Sequence, residues 1–274
     1  MKKFIILFLI LSPFFVFCQI KTNTEFKVQS FWLEDKLDET STIDPSYGKY
    51  TAFEFDINLN DHFNITVNST EFTPYMFISS PSGKNIFAYP EKGANTAELD
   101  TVANERGKWN LYVVCDTLEK GKFSLTIRFT DKKSYQFPTG NDFCTYLKYF
   151  IAHGNADFRF IKKRSKSIGI NNWQPPIKFP QSINSFISYE NRFVFNTLFY
   201  SGSDEKTADQ TYAKIRKNMI DCIGKSWMSK DLPANDDYQK YVKFSTIDQP
   251  IVYLKYYKKS TNGYRVQLEI ESKK

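Results

Sequence analysis

The chain has 274 residues, of which 41% are hydrophobic and 24% charged, the ordinary composition of a globular protein rather than of a disordered one. That length suits one large domain or two ordinary ones. Lys and Arg exceed Asp and Glu by 37 to 30, a net +7. Aromatics reach 17%, with 26 Phe and 17 Tyr. Such an excess suits strands and well-filled cores, and it can also make an adhesive binding surface. Core packing is the plainer reading.

The N-terminus has the layout of a secretory signal peptide. Lys2 and Lys3 precede an apolar run from Phe4 to Phe17 that only Ser12 interrupts, with Pro13 near its end. Val16 and Cys18 fit the −3 and −1 positions of a cleavage site before Gln19. The run is short of the roughly 20 residues a spanning helix needs, and no later stretch is long enough to span. Phe17 departs from the small residue that precedes the Cys of a lipoprotein signal, so the expectation is export by cleavage rather than a lipid anchor at Cys18. Removing residues 1–18 leaves a net +5 and three cysteines: Cys115, Cys144 and Cys222.

Residues 20–133 are expected to be a β-sandwich of about eight short antiparallel strands. Phe26–Leu33 is the first run, and Asp44–Gly48 forms a turn cluster. Tyr50–Ile57, His62–Ser69 and Pro74–Ser80 alternate apolar and polar residues, and Pro81-Ser82-Gly83-Lys84 favours a tight turn. Asn85–Tyr89 and Thr96–Asp100 are weaker runs. Gly107–Thr130 predicts a hairpin of two long strands. Trp109, Leu111, Val113 and Cys115 share one face of the first. Phe123, Leu125, Ile127 and Phe129 share one face of the second.

The pieces TAFEFDINLNDHFNITVNS, PYMFISSPSGKNIF, RGKWNLYVV and KGKFSLTIRF together resemble the bacterial pre-peptidase C-terminal, or PPC-type, β-sandwich. The resemblance covers residues of about 26–130. It implies an exported, non-catalytic module that accompanies another domain, with no substrate or peptidase activity carried over. Asp56, Asn58, Asn60 and Asp61 look like the start of a calcium loop, but the sixth and twelfth positions hold Asp61 and Val67 where Gly and Glu are wanted. An Asn/Asp turn between strands is the simpler reading. Two sequons begin at Asn64 and Asn68.

Residues 134–274 change period and match no family. Phe143, Leu147, Phe150, Ile151, Gly154, Phe158 and Ile161 mark a helix face, with a break expected at Gly154-Asn155. The basic cluster Lys162, Lys163, Arg164 and Lys166 follows, then a loop over residues 167–181. Ser182–Tyr189 and Arg192–Ser201 predict a strand pair. Ala208, Tyr212, Ile215, Met219, Cys222 and Ile223 mark a second helix, with Thr207 and Gln210 as a capping box and Gly224 at its end. Tyr241–Ile247, Ile251–Lys258 and Tyr264–Glu271 predict closing strands, with Asn262-Gly263 as the last turn. The order α-β-β-α-β-β-β predicts an α+β domain with both helices on one face of an antiparallel sheet.

Charge divides unevenly, with net −4 in residues 20–133 and +9 in residues 134–274. Three readings are open: an anionic partner contacted through Lys162, Lys163, Arg164 and Lys166, a solvated basic surface, or mutual attraction of the two halves. For an exported chain the partner would be another exported protein, a glycan or an anionic envelope surface, not nucleic acid. The cysteines leave two readings. A Cys144–Cys222 disulfide forms if the helices pack antiparallel, with Cys115 reduced; otherwise all three are buried thiols.

No HExxH, CxxC pair, phosphate-binding loop or nucleophile elbow occurs. His62 and His153 lack motifs and are expected to be surface or packing residues. Asp236-Asp237 and Glu34-Asp35 are expected to be solvated. The sequence therefore predicts a cofactor-free, non-catalytic binding or accessory protein. The alternatives are an inhibitor of an exported enzyme and a hydrolase whose carboxylates converge from distant positions.

Overall fold

The computed structural model describes residues 26–235, 238–259 and 263–273. The signal-peptide reading at residues 1–18, the pair Asp236-Asp237 and Asn262 of the last turn lie outside them. A β-sandwich is followed by an α+β unit.

Nine strands build the sandwich: β1 (Val28–Leu37), β2 (Thr42–Asp44), β3 (Gly48–Ile57), β4 (His62–Asn68), β5 (Tyr75–Ser79), β6 (Asn85–Ala88), β7 (Thr96–Val102), β8 (Gly107–Cys115) and β9 (Gly121–Thr130). One sheet has the order β1-β9-β4-β7 and the other β2-β3-β8-β5-β6. The expected Gly107–Thr130 hairpin does not form. β8 pairs with β3 and β5, whereas β9 pairs with β1 and β4 in the opposite sheet. Each strand's dry face has to be covered, and crossing between sheets turns the two dry faces toward one core. Trp109, Leu111, Val113 and Leu125 are fully buried there. Asp56–Asp61 forms a turn: Asn60 takes a left-handed conformation (φ 68°), and the Asp61 carboxylate accepts from the Asn58 backbone N–H at 3.2 Å. Asn64 is buried and donates to Glu98 at 2.9 Å, so its side chain is part of the packing.

The second half contains α1 (Phe143–Gly154), α2 (Arg159–Lys163), β10 (Lys166–Gly169), β11 (Asn172–Gln174), β12 (Asn184–Tyr189), β13 (Phe193–Gly202), α3 (Glu205–Ile223), β14 (Met228–Leu232), β15 (Tyr238–Ser245), β16 (Ile251–Lys259) and β17 (Gly263–Glu271). The strands form one antiparallel sheet, β10-β11-β12-β13-β17-β16-β15-β14. Helices α1 and α3 pack on one face of it. Tyr264, Val266, Leu268 and Ile270 of β17 alternate toward them. Strands β10 and β14 lack a sequence signal because they are exposed strands at the sheet's two edges, and β11 because it is only three residues long. Main-chain hydrogen bonds to a neighbour hold such strands, and these leave no apolar alternation to read.

The chain breaks after Gly154 because Asp157 and Phe158 turn left-handed (φ 56° and 52°). Gly154 itself allows close packing, since a Cβ there would lie 2.7 Å from Pro250. The second long helix starts one turn before the expected box. Asp204 is its N-cap and accepts from the Lys206 N–H at 3.0 Å, so Thr207 sits inside the first turn. Cys144 near the start of α1 and Cys222 near the end of α3 are joined by a disulfide, with Cα atoms 5.1 Å apart. Cys115 is a buried thiol that burial pushes up to about 11.

The two cores do not divide at residue 133. Phe26, just before the first sandwich strand, and Val28, the first residue of that strand, pack in the helix-covered core of the second unit. The Phe26 ring meets Tyr149 of α1 edge-on at 5.3 Å.

Candidate functional site

Two places gather chemistry: the joint between the units and the open face of the eight-stranded sheet. At the joint, β7 and β9 of the sandwich face α2 and the turn before it, and β1 meets α1. The left-handed turn at Asp157 and Phe158 aims α2 across this gap. Lys163 pairs with Asp100, Arg159 with Glu98, and Asp157 lies 3.7 Å from Arg128. His62 stacks on Tyr135 at 4.3 Å and 16°, meets Phe160 edge-on at 4.6 Å, and lies 2.7 Å from Asp100.

The basic cluster therefore does not stand clear as one patch. Lys163 is taken by Asp100. Arg164 donates to the Tyr135 carbonyl at 2.8 Å and lies over that ring at 3.8 Å. The Lys162 ammonium lies over Phe193 at 4.0 Å and Trp173 at 4.8 Å, and burial lowers its pKa. Lys166 alone of the four stays exposed without such a contact, at the start of β10. Part of the opposite charge of the two halves is thus used between them. Both histidines pack here: His62 is 5% exposed and His153 is fully buried.

The open sheet face holds a cavity of about 680 Å³. The alternation of β16 builds one wall: Val252, Leu254 and Tyr256 point to the helices, which leaves Tyr253, Lys255 and Tyr257 on the other side. β17 does the same with Glu269 and Glu271, and β15 adds Tyr238. Glu269 is the centre. Lys255 Nζ lies 2.6 Å from Glu269 Oε2, and both side chains are 12% exposed. The Tyr257 hydroxyl donates to Glu269 at 3.1 Å and the Gln267 amide at 3.0 Å. Glu271 lies 3.5 Å from Arg192.

Burial, and then the Glu269 charge, push the Tyr257 phenol far above its ordinary value. Burial raises Tyr253 as well. Both therefore remain neutral O–H groups at physiological pH. The face offers phenol rings, hydroxyl donors and an occupied ion pair. No group of three or more metal-ligating side chains occurs among the described residues. The sequence reading missed this site. Its signal was the second phase of the last two strands, where Tyr, Lys and Glu alternate with core residues.

No protein-family model matches the chain, and no curated protein matches it. Among solved structures it is similar to the pre-peptidase C-terminal domain of a Bacillus anthracis collagenase, at 19% identity and a TM-score of 0.29, over 36% of this chain and 89% of that one. It is also similar to PliG of Aeromonas hydrophila, a periplasmic inhibitor of g-type lysozyme, at 10% identity and a TM-score of 0.28, over 37% and 87%. PliG of Salmonella Typhimurium follows at 11% identity and 0.25, over 38% and 91%. These likenesses carry no argument about partner or activity. The resemblance read from residues of about 26–130 recurs among the solved structures.

Proposed function

We propose that the chain is an exported, non-catalytic binding or accessory protein whose α+β unit takes its partner in the tyrosine-walled cavity. The observation that carries this reading is the state of Glu269. Its carboxylate is held by Lys255, Tyr257 and Gln267, so it is committed as an acceptor. A hydrolase using paired carboxylates needs one free to take a proton from water or give one to a leaving group. A binding face needs fixed donors and flat rings, and those are what surround Glu269. Export rests on the Lys2–Cys18 pattern. No helix among the described residues is long and apolar enough to cross a membrane.

Capture from the native envelope tests the reading. The partner is expected to bind the wild-type chain and to be lost from Tyr238→Ala/Tyr253→Ala, while Lys166→Glu still captures it. Loss with Lys166→Glu and retention by the tyrosine variant would return the contact to the basic cluster. An exported enzyme among the captured proteins, slowed by the pure chain, would make the role inhibitory.

A further inference from the structure

The eight-stranded sheet ends on β10 at one edge and on β14 at the other, and the two edges are finished differently. A strand with a free side presents a row of main-chain donors and acceptors that another strand can take up. β10 is four residues long, and its pairing slips between Ser167 and Gly169, a bulge that spoils it for further pairing. β14 pairs with β15 without a slip, from Met228 opposite Ser245 to Leu232 opposite Tyr241. Among the described residues no strand lies on its other side, and residues 228–232 make no main-chain hydrogen bond outside the ladder.

The side chains give this edge a definite chemistry. Val242 and Phe244 of β15 are buried in the helix-covered core, so Tyr241, Lys243 and Ser245 lie on the open face of the sheet. Residues opposite one another on paired strands share a face, so Met228, Lys230 and Leu232 lie there too. Asp231, on the helix side, is taken by Arg216 at 2.9 Å. The open side of the edge therefore reads apolar, cationic, apolar. Lys230 stands directly opposite Lys243, and among the described residues neither lysine pairs with a carboxylate. Like charges facing each other across a ladder cost stability. One lysine is enough to guard an edge, so protection alone does not account for the second.

A second copy does not fit this edge. Two antiparallel copies related by a two-fold axis overlap over the whole strand only when Lys230 faces itself, and one row then carries four ammonium groups. An anionic glycan would meet the lysines and leave the main-chain row unpaired. An extended peptide with an acidic residue between two apolar ones satisfies both: its carboxylate faces Lys230, and its apolar side chains face Met228 and Leu232. We infer that β14 is a docking edge for an extended acidic segment of a partner protein, which joins the sheet as an added strand with its carboxylate against Lys230 and Lys243. The tyrosine-walled cavity includes no residue of β14, so this edge stands or falls apart from that reading.

The test uses the full chain and a blocked peptide, Thr-Val-Thr-Glu-Thr-Val-Thr, whose alternate residues complement the edge. Calorimetric titration at low salt is expected to show binding, and hydrogen exchange at residues 228–232 is expected to slow. The peptide with lysine in place of glutamate is expected to bind about tenfold more weakly, because an attraction across the strands becomes a repulsion. Lys230→Glu is expected to reverse that preference, which a merely destabilised variant would not do. N-methylation of the peptide's central amides is expected to abolish binding, because strand addition needs them as donors. Tyr238→Ala/Tyr253→Ala is expected to leave peptide binding unchanged. The inference is overturned if the acidic peptide fails to bind, if both peptides bind alike, if the N-methylated form binds as well, or if the slowed exchange lies away from β14. Self-association of the chain alone, with the same slowing at residues 228–232, would overturn it in favour of a second copy.

Discussion

The imidazole Nε2 of His153 lies 2.9 Å from the main-chain oxygen of Ser134. A carbonyl oxygen only accepts, so Nε2 carries a proton, and burial keeps the ring neutral. The bond ties the buried side of α1 to the segment that leaves the sandwich. The Ser134 hydroxyl in turn accepts from the Lys27 N–H at 2.7 Å. One short segment therefore connects the first strand of one unit to the first helix of the other.

This arrangement has a pH signature. Burial holds the His153 pKa down to about 4, against 6.5 in the unfolded chain. Between those values the unfolded chain binds a proton that the folded one refuses. Stability contributed by the neutral ring is therefore full above pH 6.5 and is lost as pH falls toward 4. The loss amounts to about 3 kcal/mol for this group. His62 adds the same sign: burial, and then the Lys163 and Arg164 charges, hold its pKa down to about 4. Melting temperatures are expected to fall on acidification across this window, with a shallower slope for His153→Gln. An equal slope in the variant would remove His153 as the cause.

The disulfide closes a long segment, since Cys144 and Cys222 are 78 residues apart. On the chain-entropy estimate it stabilises the α+β unit by about 4 kcal/mol. Reduction, or Cys144→Ala/Cys222→Ala, is expected to lower the melting temperature by a corresponding amount. In protein lacking residues 1–18, alkylation after denaturation without reductant is expected to label Cys115 alone. Three labelled thiols would rule the bridge out.

Lys255 and Glu269 form a pair with little solvent around it. Glu269→Gln leaves the ammonium without its counter-charge, with an expected cost of about 3 kcal/mol. Lys255→Met/Glu269→Leu removes both charges and is expected to cost less than the single change. Urea unfolding of the three proteins separates these outcomes, and a double variant no better than the single one would contradict the pairing.

Phe26 precedes the first sandwich strand, yet it is 3% exposed in the other unit's core. Phe26→Ala is expected to destabilise the α+β unit by about 3 kcal/mol, as for other large-to-small core changes. Residues 134–274 expressed alone are expected to melt below the same unit in the whole chain. Equal melting would restore the simple division near residue 133.

Alternation over β3, β4, β8 and β9 determined the sandwich from sequence, because one face of each strand must be dry. The periodic apolar residues of α1 and α3 and the closing strands likewise determined the α+β class. What the pattern could not assign was which sheet each dry face would join, so the apparent hairpin of β8 and β9 became two strands on opposite sides of one core. Side-chain period reports that a face is buried, and it is silent about the neighbour that buries it. The basic cluster shows the same limit. Sequence gives the charge of Lys163, but only the tertiary fold brings Asp100 to it across 63 residues. The cavity around Glu269 is likewise a product of register. It is drawn from strands far apart in the chain, and main-chain pairing is what brings them side by side.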